Sequence, residues 1–372
     1  MTPRPSKTSP SVSIETFIRQ FWGQPELPQW LDGVTRLGVG VSGGGDSVAL
    51  LYLLTGMPEL RPAWAPEIVA FHVNHGLRGA QADTDETLVF QLARVQKVPV
   101  HVRRLDPERI RAHARRNGSL EDAARETRLI ALRGLADRSH CQAVALAHHQ
   151  DDLAETFLMR LLRGSGLRGL GGFAPEAQVL GLRLVRPLIH WSRADLQQVA
   201  RLAGLEWAED VMNADPAFLR CRVRHEILPC LERHTDHPPA ARMLAQTARR
   251  LERENRALSA YIEQLYQTHR VERTDPRRVG LPVGLLVQEP EAVFAPYLLR
   301  LLLARLIETP FPPEEQRILE LENFVQTARS GSLMQTARNI VVWISPEGIL
   351  WAWQKPQRKI SRDEQLRVFR KP

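Results

Sequence analysis

A glycine-rich turn constrains the fold of this chain more than any other feature. Residues 38–51 read GVGVSGGGDSVALL, in which an apolar, β-branched run ends in a cluster of small residues and a helical pattern follows. Glycine lets the backbone take up positive φ angles and approach a ligand closely. A strand that passes through such a turn into a helix is typical of α/β folds. The stretch therefore predicts a strand, a tight turn and a helix N-terminus.

The same alternation continues through the first half of the chain. Short apolar runs that predict buried strands lie at 36–42, 67–75, 98–105 and 142–149. Helical patterns follow them at 46–56, 83–96, 119–136 and 152–163. This rhythm predicts an α/β fold with a doubly wound parallel sheet, covered by helices on both faces. A further strand is predicted within 182–191.

The second half of the chain has a different pattern. Helices are predicted at 192–203, 217–234, 240–268, 291–307 and 313–329, with a Pro/Gly-punctuated connector at 274–290. Residues 339–353 read as two strands of a hairpin. We therefore predict an N-terminal tail and leading helix at 1–30, a catalytic α/β domain at 31–215, a basic helical region at 216–275 and a small α+β C-terminal domain at 276–372.

Composition and charge narrow the class of protein. The chain has 372 residues, a net charge of +8 and three cysteines without a C-x-x-C pair. The positive charge favours a polyanionic partner such as nucleic acid, and the cysteine pattern argues against a disulfide framework or a zinc ribbon. No apolar run reaches membrane-spanning length, and the polar, proline-containing first dozen residues lack the apolar core of a signal peptide. We expect a cytoplasmic protein without a membrane partner.

Three functional patterns overlap in the glycine-rich turn. Residues 38–43 fit the dinucleotide fingerprint G-x-G-x-x-G, and residues 40–44 fit the hydrolase elbow G-x-S-x-G. Residues 42–47 read SGGGDS, a phosphate-binding loop with aspartate in place of the Walker lysine. All three patterns need a strand, a turn and a helix N-terminus, so the glycines alone do not choose among them.

Asp46 favours the phosphate loop. A dinucleotide site needs an acidic residue at the end of the second strand, but that strand ends in FHVNH. A hydrolase elbow normally follows several strands rather than the first. A carboxylate beside phosphates is explained by a bridging Mg²⁺, and a loop without lysine suits pyrophosphate as a leaving group. The predicted ATP-binding residues are Ser42, Gly43, Gly44, Gly45, Asp46 and Ser47, with Asp46 as the Mg²⁺ ligand.

A second polar cluster lies at 145–173, which reads ALAHHQDDLAETFLMRLLRGSGLRGLGGF. It starts at the carboxyl end of a predicted strand, where open α/β sheets bind ligands. Asp152 and Glu155 are three positions apart, so they share a helix face, and the helix dipole stabilises their charge. Acidic residues are also common in solvated first turns. Their grouping with His148 and the glycine-rich loop at 164–172 favours a functional site.

Together these stretches resemble the tRNA(Ile)-lysidine synthases, a family of the PP-loop (N-type) ATP pyrophosphatase superfamily. The matching segments are VSGGGDS, HVNHGLRG, EDAARETR, LAHHQDDLAET, LRGSGLRGLGG and VRPLIHWSRADL, in the order of the family. The resemblance is strong over about residues 37–231 and extends to the remainder in architecture only. The first segment is shared across the superfamily, whereas LAHHQDDxAET with RGSGxxGL is much more specific.

The resemblance implies a ligase that forms a carbon–nitrogen bond. ATP adenylates the C2 oxygen of the wobble cytidine in a tRNA(Ile) with a CAU anticodon, and pyrophosphate leaves. The ε-amine of free L-lysine then attacks C2 and displaces AMP, which forms lysidine. The implied cofactors are ATP and Mg²⁺. The implied catalytic residues are Asp46, Arg128, His148, Asp152 and Glu155.

Two of these roles have a chemical basis in the residues. A pair of carboxylates suits the recognition of a cationic amino acid, and one of them can accept a proton from the lysine amine. Arg128, in the helix that contains AARETR, resembles an arginine that neutralises phosphate charge while the adenylate forms. The alternative for Arg128 is an ordinary arginine on a helix surface.

The sequence also departs from the family pattern. Members usually have Ser-Asn at 212–213 and Arg-Asn-Arg at 220–222, where this chain has Met-Asn and Arg-Cys-Arg. The C-terminal part is shorter than in the longest members, which predicts that a second C-terminal domain is absent or reduced. Members are commonly dimers, so the resemblance allows a homodimer. The alternative function is that of another PP-loop tRNA-modifying enzyme, such as a tRNA thiolase, although those depend on cysteines often paired as C-x-x-C.

Overall fold

The computed structural model describes residues 13–77, 79–117, 120–208, 219–235, 239–272, 278–306, 315–336 and 340–354. They fall into two compact units, Met1–Arg253 and Glu254–Pro372. The four domains predicted above stay a prediction. The predicted tail at 1–12 lies outside the described residues. Among the helices that the structure describes, none has the length and apolarity needed to cross a membrane.

The first unit contains a six-stranded sheet. Its strands are β1 (Arg36–Gly40), β2 (Glu67–Asn74), β3 (Val100–Arg104), β4 (Ala143–Ala145), β5 (Glu176–Val179) and β6 (Leu182–Val185). Their order is β3-β2-β1-β4-β6-β5, and every pair is parallel except the edge pair of β5 with β6. The chain proceeds from β1 outward to β3 and then returns to the other side of β1. The switch point where ligands bind in such sheets therefore lies between β1 and β4.

Helices cover both faces of this sheet, as predicted. They are α1 (Ile14–Trp22), α2 (Leu27–Trp30), α3 (Gly45–Thr55), α4 (Ala80–Val95), α5 (Pro107–Asn117), α6 (Leu120–Arg138), α7 (Gln150–Leu161), α8 (Leu167–Leu170), α9 (Arg193–Leu202), α10 (Leu219–Arg222) and α11 (Leu228–Arg233). A π-helical segment, Val223–Ile227, joins the last two, and a 3₁₀ turn forms at Pro58–Leu60.

Alternating side chains of the strands build two separate cores. In β4, Ala143 and Ala145 belong to the core that contains α3. Val144 belongs to the second core, which contains Leu132 and Leu135 of α6. Successive residues of a strand point to opposite faces, so the parity of a residue within β4 determines whether its side chain lies on the α3 or the α6 side of the sheet.

Two glycines of the dinucleotide pattern lie within β1 rather than in the turn. A Cβ atom on Gly38 would lie 2.2 Å from Cε2 of Phe71, and one on Gly40 would lie 2.9 Å from Cδ2 of Leu146. Because contacts under 3.0 Å are not tolerated, these glycines are explained by packing beneath large neighbours. The structure thereby removes the support for a dinucleotide turn.

The second unit contains a five-stranded antiparallel sheet. Its strands are β7 (Val271–Glu272), β8 (Arg278–Pro282), β9 (Leu333–Gln335), β10 (Ile340–Ile344) and β11 (Ile349–Gln354), in the order β7-β8-β11-β10-β9. The long helix α12 (Ala240–His269) begins in the first unit and ends in this one. The other helices are α13 (Val283–Val287), α14 (Ala295–Leu306) and α15 (Glu315–Thr327), with a 3₁₀ turn at Glu291–Phe294.

Most of the predicted elements are confirmed, and the corrections fall in both halves of the chain. The hairpin at the end is formed by β10 and β11, with Val342 opposite Ala352. The predicted connector at 274–290 was wrong, because β8 and α13 lie within it. Gly280 and Pro282 lie in β8 and Gly284 lies in α13, and a pattern this short does not reveal regular structure. The sequence also missed α5 and β5.

Candidate active site

The turn after β1 folds into a compact loop that is held by its own hydroxyl groups. The Ser42 N–H donates to Oγ of Ser47 at 3.1 Å, and the Ser47 hydroxyl donates to the Gly44 carbonyl at 2.8 Å. The Gly44 N–H donates to Oγ of Ser42 at 3.4 Å. Helix α3 begins directly after Gly44, so its free N–H groups and positive dipole end face the loop. This arrangement suits a phosphate cluster.

Two features fix the backbone of this loop. Gly43 has a φ of 95°, a conformation that side-chain-bearing residues rarely adopt. Its carbonyl accepts the N–H of Ala208 at 2.9 Å. The indole of the neighbouring Trp207 lies 3.4 Å from the position of a Cβ atom on Gly45. The segment that precedes residue 209 therefore packs against the phosphate loop, a contact that the sequence pattern did not indicate.

The two histidines that follow β4 have different neighbours. The ring of His148 packs 5.0 Å from the ring of Phe173, which itself packs against the core that contains α3. His149 is fully buried and lies against Asp46 at the start of α3.

His149 connects the phosphate loop to the start of α7. Its Nε2 lies 3.3 Å from Oδ2 of Asp46 and 3.5 Å from Oδ2 of Asp152. Its Nδ1 accepts the N–H of Asp151 at 3.2 Å, and its own N–H donates to Oδ2 of Asp152 at 3.1 Å, which completes a capping box. His149 was not among the predicted site residues.

The protonation of His149 is under opposing influences. Burial lowers the pKa of the imidazole, whereas the carboxylates of Asp152, Asp151 and Asp46 raise it well above its ordinary value. The cap bond to Nδ1 favours the neutral ring, because an accepting nitrogen carries no proton. Nε2 carries a proton in both forms, so it faces the two carboxylates as a donor.

The predicted acid pair is held by arginines of the segment after residue 218. Glu155 accepts hydrogen bonds from Nε of Arg220 at 2.8 Å and from Nε of Arg224 at 2.6 Å. Asp152 accepts one from Nη2 of Arg220 at 2.9 Å. Nη2 of Arg193 lies 3.5 Å from Glu155. The side chain of Glu155 is 1% exposed and that of Asp152 is 13% exposed, so this is a buried network in which one arginine joins both acids.

The network holds Asp152 in its charged form. Burial raises the pKa of this carboxyl, but the positive charges of His149 and Arg220 outweigh burial and keep the pKa well below its ordinary range. A carboxylate with such a low pKa is a strong partner for cations and a weak base. The sequence named Asp152 and Glu155 but missed Arg224, whose signal was its place in the basic helical region.

A cationic group lies around the rings of His148 and Phe173. The guanidinium of the buried Arg186 lies 5.2 Å from the centre of the Phe173 ring, which is also 5.0 Å from the ring of His148. Arg128 is half-buried, and its Nε has no hydrogen-bond partner among the described residues. Burial lowers the pKa of His148 to about 3, and the charges of Arg186 and Arg128 act in the same direction. His148 is therefore neutral at physiological pH.

The donor set suits a magnesium ion that arrives with phosphates. The side chain of Asp46 is 37% exposed at the N-terminus of α3. In the ranges that the structure describes, no group of three or more His, Cys, Asp or Glu side chains forms a protein cage for a metal. Mg²⁺ is typically held by one or two carboxylates together with substrate phosphates and water, and Asp46 beside a phosphate loop fits that pattern.

Comparisons with known proteins agree with this geometry. The pattern of the PP-loop domain family matches residues 11–231, which include the phosphate loop and the acid pair, and a PP-loop domain implies ATP binding. A tRNA(Ile)-lysidine synthase from Bradyrhizobium sp. is 33% identical over 335 residues, which cover 87% of this chain and 91% of that protein. The chain belongs to the tRNA(Ile)-lysidine synthase family.

Other members of the family are more similar over a shorter region. The tRNA(Ile)-lysidine synthase of Geobacter sulfurreducens is 41% identical over 235 residues, which cover 63% of this chain and 48% of that protein. The chain thus spans about half the length of this relative and of the one from Symbiobacterium thermophilum. Among solved structures, the U34-tRNA thiolase NcsA from Methanococcus maripaludis is 18% identical, with a TM-score of 0.47 over 64% of this chain and 78% of that chain.

Proposed function

We propose that this protein ligates free L-lysine to C2 of the wobble cytidine in a tRNA(Ile) with a CAU anticodon, and that it uses ATP to activate the base. One observation carries the proposal. A phosphate loop and a buried pair of carboxylates meet at the switch point of one sheet, and a single imidazole lies 3.3 Å and 3.5 Å from an acid of each. The site therefore unites a nucleotide-binding half and a cation-binding half, as ligation of a cationic amine requires.

The first half of the site suits adenylation. The hydroxyls of Ser42 and Ser47 and the N–H groups of Gly43, Gly44 and Gly45 would hold the phosphates of ATP. Asp46 would hold a Mg²⁺ ion, which neutralises charge on the phosphates as pyrophosphate leaves. Attack by the C2 oxygen of cytosine on the α-phosphorus forms the adenylated base. Nε of Arg128 has no hydrogen-bond partner among the described residues, and this cation would stabilise phosphate charge.

The second half of the site suits lysine. A cavity of about 400 Å³ beside Glu155 is lined by the acids Asp151 and Glu232 and by the arginines Arg193, Arg224 and Arg233. Lysine has two ammonium groups and one carboxylate, so a cavity with charges of both signs matches it. Its size is within the usual range for small-molecule sites. Asp152 does not line this cavity, so we assign the cavity to the main-chain end of the amino acid and leave the ε-ammonium group to Asp152.

The lysine amine must lose a proton to attack C2. Its pKa is about 10.4 in water, so only a small fraction is nucleophilic at neutral pH. Because Asp152 is a weak base in this network, its role in the proposal is to bind and orient the ammonium group. The ε-ammonium group therefore releases its proton to solvent before the attack, and displacement of AMP from the tetrahedral carbon then completes the new carbon–nitrogen bond.

Partner predictions follow from the same assignment. The helices that carry Arg220, Arg249 and Arg253 are expected to contact phosphates of the tRNA, and such binding weakens as salt is raised. The homodimer and the cytoplasmic location stay predictions. A tRNA thiolase stays the alternative, although such enzymes depend on cysteines often paired as C-x-x-C, and Cys141, Cys221 and Cys230 do not form such a pair. Met212 and Asn213, which bear on a family departure, lie outside the described residues.

The deciding experiment supplies the purified protein with ATP, radiolabelled lysine and a CAU-anticodon tRNA(Ile) transcript. ATP-dependent transfer of label to the tRNA is the expected result, with a tRNA(Met) transcript as the matched control. Pyrophosphate release that needs a different substrate, without lysine transfer, would refute the proposal.

Asp152→Asn tests the acid pair within that assay. We expect loss of lysidine formation while tRNA binding is retained, because Asp152 is not itself expected to contact the tRNA phosphates, although it accepts a hydrogen bond from Nη2 of Arg220 in the basic helical region at 2.9 Å. Filter binding of the tRNA and a thermal melt check that the variant is folded. Lysine transfer at the wild-type rate would show that Asp152 has no role in recognition.

A further inference from the structure

His149 occupies the boundary between the two halves of the site. Its side chain is fully buried, and its two ring nitrogens serve different partners. Nδ1 accepts the Asp151 N–H at 3.2 Å and thereby caps α7. Nε2 lies between Oδ2 of Asp46 and Oδ2 of Asp152, at 3.3 Å and 3.5 Å.

Two acceptors face one donor at this point. The ring has a single N–H at Nε2, and a hydrogen bond weakens steeply when the donor is poorly aligned. Nε2 completes a hydrogen bond with neither carboxylate, nor with any other residue that the structure describes. A buried donor that is left unsatisfied is unfavourable. We therefore expect the hydrogen bond from Nε2 to become stronger when one of the two carboxylates binds another group.

We propose that His149 is a positioning residue that couples the nucleotide half of the site to the lysine half, by sharing one Nε2 donor between Asp46 and Asp152. The inference rests on the proposed function, because it takes ATP and lysine as the two ligands. When Asp46 turns to the nucleotide-bound cation, the donor passes entirely to Asp152 and adds to the hydrogen bonds that this carboxylate already accepts from the His149 N–H and from Arg220. Lysine then binds to a carboxylate that is already ordered.

The proposed coupling predicts the direction and the magnitude of the effect of nucleotide on lysine affinity. A ligand that orders a site lowers the ordering cost for the next ligand, which gives positive cooperativity. Coupling between sites typically changes affinity by about 5–150-fold. For one buried hydrogen bond we expect about tenfold tighter lysine binding in the presence of nucleotide and Mg²⁺. Because coupling is reciprocal, lysine must tighten nucleotide binding by the same factor.

Two substitutions separate the bridge from the cap. In His149→Asn the amide oxygen overlays Nδ1, so it can accept the Asp151 N–H, and asparagine is among the best residues for capping a helix. The side chain is too short to reach Asp46 and Asp152. In His149→Gln the amide nitrogen overlays Nε2 and retains the donor, whereas the cap is weakened. A purely structural role predicts that Asn is benign and Gln is harmful.

The experiment is calorimetric titration of L-lysine into the full-length protein, with and without a non-hydrolysable ATP analogue and Mg²⁺. We expect a ratio of lysine Kd values of about ten in the wild type, a ratio near one in His149→Asn, and most of the wild-type ratio in His149→Gln. A wild-type ratio in His149→Asn would overturn the inference, because the charge of the nucleotide alone would then explain the cooperativity. A ratio near one in the wild type would overturn it as well.

The titration results that would refute the proposed function differ from those that would refute only the coupling. If the wild type binds neither the ATP analogue nor lysine, both proposals fall. If it binds both ligands and ligates lysine to tRNA, but His149→Gln and His149→Asn have equal ratios, only the coupling is refuted. Thermal melts of the three proteins verify that each is folded under the titration conditions.

Discussion

Replacing Glu155 by glutamine measures how strongly the arginines hold the acid pair. The carboxylate accepts three guanidinium hydrogen bonds, from Arg220 at 2.8 Å and from Arg224 at 2.6 Å and 3.0 Å. Glutamine has nearly the same shape and retains one carbonyl acceptor, but it removes the negative charge. Two arginines would then face a neutral group in the interior of the first unit.

The size of the effect follows from the exposure of the partners. Removing one member of a fully buried ion pair destabilises a protein by about 3–5 kcal/mol. Glu155 is 1% exposed, but Arg220 is 34% exposed and also keeps Asp152 as a partner at 2.9 Å. Water and the second carboxylate therefore compensate part of the loss. We expect a destabilisation of about 2 kcal/mol, which corresponds to about 30-fold in an equilibrium constant.

Native-state hydrogen exchange is the assay, because it reports the stability of separate parts of a protein with more than one unit. Amides in Gln150–Leu161, which include Glu155, should lose protection by about 30-fold, while those in Ala295–Leu306 of the second unit serve as an internal reference. Glu67→Gln is the matched control, since its ion pair with Arg36 lies on the surface and such pairs contribute at most about 1 kcal/mol. A loss of less than threefold for Glu155→Gln would refute the reasoning.

Three further predictions concern the loop, a helix cap and a histidine. Gly43→Ala forces a residue with a Cβ atom to a φ of 95°, which is unfavourable by about 1–3 kcal/mol. Calorimetry should therefore detect weaker ATP binding by this variant. The control is Gly33→Ala, which has comparable strain at a φ of 70° and should leave ATP affinity unchanged. Ser192→Ala removes the capping box of Arg193–Leu202 and should lower the free energy of unfolding by about 0.5–2 kcal/mol; no change in protection of that helix would contradict the assignment. Burial holds the pKa of His148 near 3, below its ordinary 6.5, so the unfolded chain binds more protons in that interval and stability falls as the pH is lowered through it. His148→Asn should flatten that part of the stability curve, and an unaltered slope would count against the burial of this ring.

The elements that the sequence predicted well are those with strong periodic patterns. The strand β2 was predicted at 67–75 and lies at Glu67–Asn74, because its β-branched residues are buried on both faces. The edge strand β5 was missed, because its four residues are half-buried or exposed and have no apolar run. Segment 274–290 was misassigned for a related reason, since β8 and α13 are only five residues each. Short elements gain their stability from partners that are distant in the chain, which a local pattern does not contain.

Two adjacent residues of the site also show that a local sequence pattern does not reveal which residues meet in the fold. The sequence singled out His148 and left His149 without a role, although both are imidazoles at the same strand end. Their neighbours differ in the structure, because His149 lies against Asp46 at the start of α3, whereas His148 packs on Phe173. Both residues follow the last residue of β4, so the alternation of the strand does not extend to them. Their partners are brought to the strand end by the order of the strands in the sheet, and a local sequence pattern does not contain that order.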